Sequence, residues 1–121
     1  MSKFIAIGAV SAAISVAAGA FGAHGLRGKI SDEMLTVFET GAKYQMYHAL
    51  GLILIGVVLM HKPISALNTA GWLMAVGTLL FSGSLYGLAL GGPKILGPIT
   101  PLGGTAFMVA WGIFAYAVLR S

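Results

Sequence analysis

Two histidines, a glutamine and a tyrosine are the residues of this chain that could bind a ligand or move a proton in an apolar environment. They are His24, Gln45, His48 and Tyr86. Imidazole exchanges protons near neutral pH, so a histidine pair could relay protons, and it also binds metal ions. A metal site usually draws further ligands from cysteine or carboxylate groups, and this chain has no cysteine. The residue types therefore favour a hydrogen-bonded polar cluster over a metal site, and we expect no cofactor.

Four long apolar segments must position these residues. No Lys, Arg, Asp or Glu occurs in residues 4–26, 44–60, 64–93 or 95–119. The 121-residue chain is only 8% charged, against about 25% in ordinary soluble domains. An apolar helix of roughly 20 residues crosses the hydrocarbon core of a bilayer. We therefore predict an all-α membrane protein with one domain over residues 1–121, a four-transmembrane-helix bundle with spans at about 3–26, 44–60, 66–91 and 100–119.

The second of these helices is predicted to extend beyond the membrane. Ser31 fits a helix N-cap, and the acidic pair that follows it favours the positive end of the helix dipole. No proline then interrupts the chain before Pro63. A helix over residues 32–60 would be about 43 Å long, which exceeds the hydrocarbon thickness. Its amphipathic first part, residues 32–43, is expected at headgroup level or outside the membrane.

The polar and glycine-rich parts of the four spans are predicted to lie in one leaflet. In a four-span protein, the loop after the first span and the loop after the third lie on the same side of the membrane. Polar residues at membrane depth usually face the protein interior. We therefore expect a polar, glycine-rich pocket there, formed by His24, Glu39, Tyr44, Gln45, Tyr47, His48, Ser84, Tyr86 and Thr100.

Three interpretations of this pocket stay open at this point. Its residues could be structural groups that tie the helices together, which predicts a non-enzymatic structural or accessory protein. They could hold a lipid or a small polar ligand. They could instead conduct protons or ions, which predicts a small transporter that uses the cluster of His24, Gln45, His48 and Tyr86. The other half of the bundle has few hydroxyl-bearing residues, so we expect no continuous pore within one protomer.

The sequence also lacks the signatures of common enzymes. It contains no Gly-x-Ser-x-Gly, no His-Glu-x-x-His and no phosphate-binding glycine loop. No pair of carboxylates occurs within a span. We therefore expect that the protein is not an enzyme. Small drug–proton antiporters have a similar length, but they carry a carboxylate in the first span, where this chain offers only Ser11 and Ser15.

Small residues recur at four-residue spacing and predict faces for close helix packing. The candidates are Ser11, Ser15 and Gly19 in the first span, and Gly83, Gly87 and Gly91 in the third. Such faces could pack within one bundle or form a homo-oligomer. The expected partners are membrane lipid and further copies of the chain or other membrane proteins. We expect no nucleic acid, because the net charge of +4 arises near loops, where anionic headgroups lie.

The basic residues also predict an orientation. Four of them lie on the side of the first and third loops and three on the other side: Arg27, Lys29, Lys43 and Lys94 against Lys3, Lys62 and Arg120. Loops rich in Lys and Arg remain in the cytoplasm. This distribution favours a cytoplasmic position for the first and third loops.

Four motifs, in order along the chain, resemble a known family. They are residues 19–26 (GAFGAHGL), 41–51 (GAKYQMYHALG), 81–86 (FSGSLY) and 96–104 (LGPITPLGG). Together they resemble the domain of unknown function 423 family of YwdK- and YgdD-like small membrane proteins, whose animal relative is transmembrane protein 256. The resemblance covers essentially the whole chain. It implies a multi-pass protein of the bacterial plasma membrane and no established activity.

Overall fold

The computed structural model of the chain describes residues 3–121, in which each predicted span is a helix. Helix α1 covers Lys3–Phe21 and continues into a π-helical segment, Gly22–Leu26; α2 covers Asp32–His61, α3 covers Ser65–Ala89 and α4 covers Leu96–Arg120. All four are long and apolar enough to cross a membrane. The prediction of an all-α protein with four candidate spans is therefore confirmed.

The bundle has an apolar core in one half, and its buried polar side chains lie near its middle. Helix α2 packs between α1 and α3, and α3 packs against α4. The half near the loop between α2 and α3 has an apolar core, formed by Phe4, Leu52, Ile55, Leu67, Ala70, Met74, Ala110 and Ala117. The buried polar side chains are Ser15, Gln45, His48, Ser82 and Ser84. They lie between this core and a smaller apolar cluster of Leu26, Leu35, Phe38 and Ala89 near the loop between α1 and α2, so the polar side chains form a middle layer.

Helix α2 begins as the sequence predicts. The Ser31 hydroxyl accepts a hydrogen bond from the backbone N–H of Met34 at 3.1 Å, as an N-cap does. The helix has 30 residues and is therefore about 45 Å long. In its first turns Leu35 and Phe38 are buried against the end of α1 and the end of α3, while the acidic residues are exposed. This part of α2 is amphipathic and packs against the bundle.

Helix α4 begins about one turn earlier than predicted. The last span was predicted from about residue 100, but the helix starts at Leu96. Pro98 lies in the first turn, where a backbone N–H has no acceptor within the helix, so its ring removes no hydrogen bond. Pro101 lies inside the helix, and its missing N–H leaves the carbonyl of Gly97 without a helical donor. The proline-rich motif is therefore part of α4 rather than a loop that precedes it.

Helix α3 ends in a glycine turn. Gly91 has a φ of +91°, which residues with a side chain rarely adopt. The backbone N–H of Gly92 donates to the carbonyl of Gly87 at 2.7 Å, and that of Gly91 donates to the carbonyl of Leu88 at 3.2 Å. This pair of bonds is the Schellman motif. A Cβ atom at Gly91 would meet nothing within 4 Å, so the prediction that it packs against a helix of the same bundle was wrong, and a contact with a second copy stays a prediction.

The closest helix contacts occur at glycines that the spacing argument did not select. A Cβ atom at Gly8 of α1 would lie 2.6 Å from the carbonyl oxygen of Ala49 in α2. A Cβ atom at Gly103 of α4 would lie 2.8 Å from the Cα of Phe81 in α3. Helices that pack in lipid need such small residues where their backbones meet.

The predicted small-residue faces are only partly used within the bundle. Ser11 and Ser15 face α2, and Gly87 lies against the Leu96 side chain. A Cβ atom at Gly19 or Gly83 would meet nothing within 4 Å. The prediction that these two glycines pack against a helix of the same bundle was therefore wrong, and the alternative of a contact with a second copy stays a prediction.

Candidate functional site

Gln45, near the middle of α2, joins three helices. Its side chain is only 5% exposed. The Nε2 group donates to the Ser11 hydroxyl at 3.1 Å and to the Ser11 carbonyl at 3.2 Å. The Oε1 atom accepts a hydrogen bond from the Tyr86 hydroxyl at 2.5 Å. Because a carbonyl can only accept, the amide nitrogen must face α1, and one amide therefore ties α1, α2 and α3 together.

Two serines bind successive carbonyl groups of α2, one from each side. The Ser15 hydroxyl of α1 donates to the carbonyl of Ala42 at 2.6 Å. The Ser82 hydroxyl of α3 donates to the carbonyl of Gly41 at 2.7 Å. Both serines are buried. Lipid provides no hydrophobic driving force for helix association, so hydroxyl-to-carbonyl bonds of this kind help to stabilise the contacts of α2 with α1 and α3.

A third hydroxyl contact joins α3 to α4. The hydroxyl oxygens of Ser84 and Thr100 are 2.5 Å apart. Each hydroxyl also lies within reach of a carbonyl of its own helix, Ser84 at 2.9 Å from Phe81 and Thr100 at 3.4 Å from Leu96, so either hydroxyl can be the donor between them. Ser84 and Thr100, both predicted for the pocket, are therefore in contact. Thr100 lies within the first turns of α4 and is not its N-cap.

His48 links α2 to α4 through both ring nitrogens. Its Nδ1 atom lies 2.7 Å from the carbonyl of Tyr44, and its Nε2 atom lies 3.0 Å from the indole nitrogen of Trp111. A carbonyl only accepts and an indole N–H only donates. The imidazole is therefore neutral and carries its proton on Nδ1. Its ring also stacks on Phe107, with the centroids 3.4 Å apart and the planes 6° from parallel.

This hydrogen bonding predicts one tautomer for His48. In protein labelled with ¹⁵N-histidine, we expect the Nδ1–H form, with an unprotonated Nε2, across neutral pH. Trp111→Phe removes the indole donor, and we expect the Nε2 resonance to shift while the Nδ1–H signal stays. Nuclear magnetic resonance in detergent micelles measures both signals, and His48→Gln assigns them. An Nε2–H tautomer in the wild-type protein would contradict the contact with Trp111.

The sequence argument did not identify Phe107 or Trp111. A tryptophan in the middle of an apolar segment was a usable signal, because indole usually lies at the membrane surface and its N–H needs a partner when buried. Trp111 lies well inside the segment 95–119. A donor at this depth indicates an acceptor on another helix, and His48 is that acceptor.

The remaining predicted residues lie outside this cluster. In the π-helical segment, Gly22 and Leu26 are the buried residues, and His24 is exposed. The prediction that His24 meets the other polar residues near the bundle axis was therefore wrong, because the small glycine takes the inward position against Phe38. Glu39 is exposed as well, and so are Tyr44 and Tyr47.

The polar cluster is hydrogen-bonded within itself, and cavities lie along the outside of the bundle. No buried side-chain nitrogen or oxygen in residues 3–121 lacks a hydrogen-bond partner. One groove of about 450 Å³ runs between α1 and α3 and has almost only aliphatic lining, with Gln45 among its few polar residues. A second, of about 570 Å³, lies between α2 and α4 and is lined by aromatic side chains that include Tyr44, Tyr47 and His48. In the described part of the chain, no three His, Asp or Glu side chains are grouped as a metal site would need.

Comparisons with known proteins identify the family. A family model described as "Protein of unknown function (DUF423)" matches residues 18–104. The chain is 50% identical over 121 residues to the UPF0382 membrane protein YwdK of Bacillus subtilis, an alignment that covers 99% of this chain and 98% of the relative. It is 48% identical over 120 residues to a UPF0382 membrane protein of Staphylococcus epidermidis, with the same coverage. No solved structure matches the chain. With its four candidate spans and these relatives, the chain belongs to the DUF423 family of small, multi-pass bacterial membrane proteins.

Proposed function

We propose that this protein is a non-enzymatic structural or accessory component of the bacterial plasma membrane, which binds lipid at its outer faces and associates with further copies or with other membrane proteins. One observation carries the proposal. The buried polar side chains of residues 3–121 all have hydrogen-bond partners, and these bonds join one helix to the next. A transporter or an enzyme needs interior polar groups that can exchange their partners for substrate, water or a proton.

The position of His48 supports this proposal over proton conduction. Its two ring nitrogens are occupied by the Tyr44 carbonyl and the Trp111 indole. Protonation at Nε2 would displace the indole N–H, because two donors cannot share one bond. A proton that left this site toward the opposite leaflet would then meet the apolar core around Phe4, Leu52 and Met74. The interior is arranged to hold helices together rather than to exchange protons.

Open surface on α3 supports association with further copies or with other membrane proteins. Gly83 has no neighbour within 4 Å of an added Cβ atom. Another helix could therefore approach the backbone closely at this residue, as small residues allow in lipid. The bias of four basic residues against three supports the further proposal that the loops before α2 and before α4 face the cytoplasm.

Proton flux in reconstituted vesicles tests this function. The full-length protein is inserted into vesicles that enclose a pH-sensitive dye, and a pH step is applied across the membrane. We expect the rate of dye response to equal that of protein-free vesicles, with no change in His48→Ala. A channel-forming peptide is the positive control. Flux that depends on wild-type protein and is lost in His48→Ala would contradict the proposed function and support the transporter interpretation.

A further inference from the structure

A groove on the outer side of the α1–α2 pair carries both signs of charge. Its volume is about 590 Å³, and its lining includes Val16 and Gly19 from α1 and Glu39, Lys43 and Tyr47 from α2. We call it the α1–α2 groove. It differs from the two outer grooves described above, because it has a carboxylate and an ammonium group in its wall. None of these five residues takes part in the interior hydrogen bonds of Gln45 and His48.

The charged side chains of this groove are ordered along α2. The Ser15 hydroxyl of α1 bonds to the carbonyl of Ala42, so the next residue, Lys43, lies beside the middle of the first span. The Lys43 side chain is exposed on the outer side of the bundle, and a long lysine side chain can extend along apolar surface toward the headgroups. Glu39, one turn earlier in the same helix, lies about 6 Å nearer the membrane surface on the side of the loop between α1 and α2, and Tyr47, one turn later, lies about 6 Å deeper.

We propose that the α1–α2 groove binds a phospholipid whose headgroup carries a phosphate and a primary ammonium, the chemistry of phosphatidylethanolamine. In such a lipid the phosphate lies next to the glycerol, and the ammonium lies at the outer end of the headgroup. The charges of the groove follow the same order, since Glu39 lies about 6 Å nearer the membrane surface than Lys43. Lys43 pairs with the phosphate, and Glu39 accepts hydrogen bonds from the ammonium.

The uncharged lining fits the rest of such a lipid. The Tyr47 side chain is half exposed in the groove, one turn deeper than Lys43, where its ring offers apolar surface to the acyl chains. Across from it, Val16 and Gly19 of α1 form an apolar wall. Nothing lies within 4 Å of a Cβ atom at Gly19, so the groove is open at this residue.

Charge decides between this lipid and other membrane lipids. A phosphatidylglycerol headgroup satisfies Lys43 but offers no cation to Glu39, which then lies beside a second negative charge. A phosphatidylcholine headgroup offers a quaternary ammonium, which has no N–H to donate to the carboxylate. An exposed ion pair is worth a preference of about two- to fivefold, so the selectivity should be measurable but modest. The inference rests on the proposed accessory function, in which bound lipid is a structural partner and not a substrate.

Competition among three lipids tests the proposal. The full-length protein is placed in nanodiscs with equal amounts of phosphatidylethanolamine, phosphatidylglycerol and phosphatidylcholine, and is then released into a mass spectrometer under non-denaturing conditions. Bound lipids are identified by mass. We expect phosphatidylethanolamine to be enriched about two- to fivefold over each of the others. Glu39→Gln should abolish this enrichment, and Lys43→Gln should lower the total bound phospholipid.

A pair of glycine variants tests the location. Gly19→Leu places a side chain in the open part of the groove and should abolish the enrichment. Gly112→Leu has the same open surroundings on α4, outside the groove, and should retain it. Circular dichroism and size-exclusion chromatography check that both variants fold. Glu39 is exposed, so Glu39→Gln tests the proposal even where Gly19→Leu fails to fold.

Several results would overturn the proposal. Equal occupancy by the three lipids would do so, as would a preference for phosphatidylglycerol, which would mean that Lys43 acts without Glu39. Enrichment that survives in both Glu39→Gln and Gly19→Leu would place the lipid elsewhere. A dimer that contains no lipid and that dissociates in Gly19→Leu would show that a second copy of the chain occupies the groove. Lipid enrichment together with His48-dependent proton flux would refute the accessory function and leave the groove assignment intact. The absence of both flux and enrichment would refute the groove assignment and leave the accessory function intact.

Discussion

Gly103→Ala is expected to lower the free energy of unfolding by about 3 kcal/mol, the upper end of the usual cost of overpacking. The added Cβ atom would lie 2.8 Å from the Cα of Phe81 and 2.7 Å from its Cβ. A flexible side chain could move aside, but these atoms belong to or adjoin the backbone of α3. The two helices must therefore separate, and α4 then loses contacts along its length.

A glycine in the same helix provides the control. Gly112 has no neighbour within 4 Å of an added Cβ atom, so Gly112→Ala should leave stability unchanged or raise it slightly, as alanine favours a helix over glycine. Both variants are unfolded by titration of sodium dodecyl sulfate into mild-detergent micelles and followed by circular dichroism. Equal midpoints for the two variants would show that α3 and α4 do not approach as closely as described.

Gln45→Leu is expected to lower the free energy of unfolding by about 2 kcal/mol. The substitution preserves most of the side-chain volume but removes the acceptor for Tyr86 and the donor to Ser11. Buried groups that lose a partner cost about 1–3 kcal/mol, and hydrogen bonds between membrane helices contribute about 0.6 kcal/mol on average and at most about 1.7. Because bonds to two helices are lost together, the combined effect is about 2 kcal/mol, the middle of the range for buried groups that lose a partner.

A second substitution separates hydrogen bonding from packing. Tyr86→Phe removes the hydroxyl that Gln45→Leu leaves without an acceptor, so the double variant should be about 1 kcal/mol more stable than the sum of the two single effects predicts. Thr36→Val is a control, since its hydroxyl bonds only to the Asp32 carbonyl of its own helix. Additive effects of the two substitutions would contradict the bond between Gln45 and Tyr86.

The interior cluster was only partly predictable from the sequence. Gln45, His48 and Tyr86 are polar residues within apolar segments, and the cost of exposing them to lipid predicts their inward positions. Ser11 was assigned to helix packing rather than to this cluster, although it accepts and positions the amide of Gln45. His24 was assigned to the cluster and lies outside it. A small serine and a histidine next to a loop can each take several orientations, so residue type alone did not distinguish their roles.

The sequence by itself determined the number of spans, their approximate ends and the cap of α2. These features depend on the length of apolar segments and on hydrogen bonds between near neighbours in the chain, such as Ser31 with Met34. The tertiary structure decided which face of each helix turns inward, and with it the partners of His48 and the glycines at the closest contacts. The physical reason is that a membrane helix such as α1 is apolar on all sides, so its sequence does not indicate a buried face. Its rotation is set by the fit of small residues and hydroxyl groups against neighbouring helices.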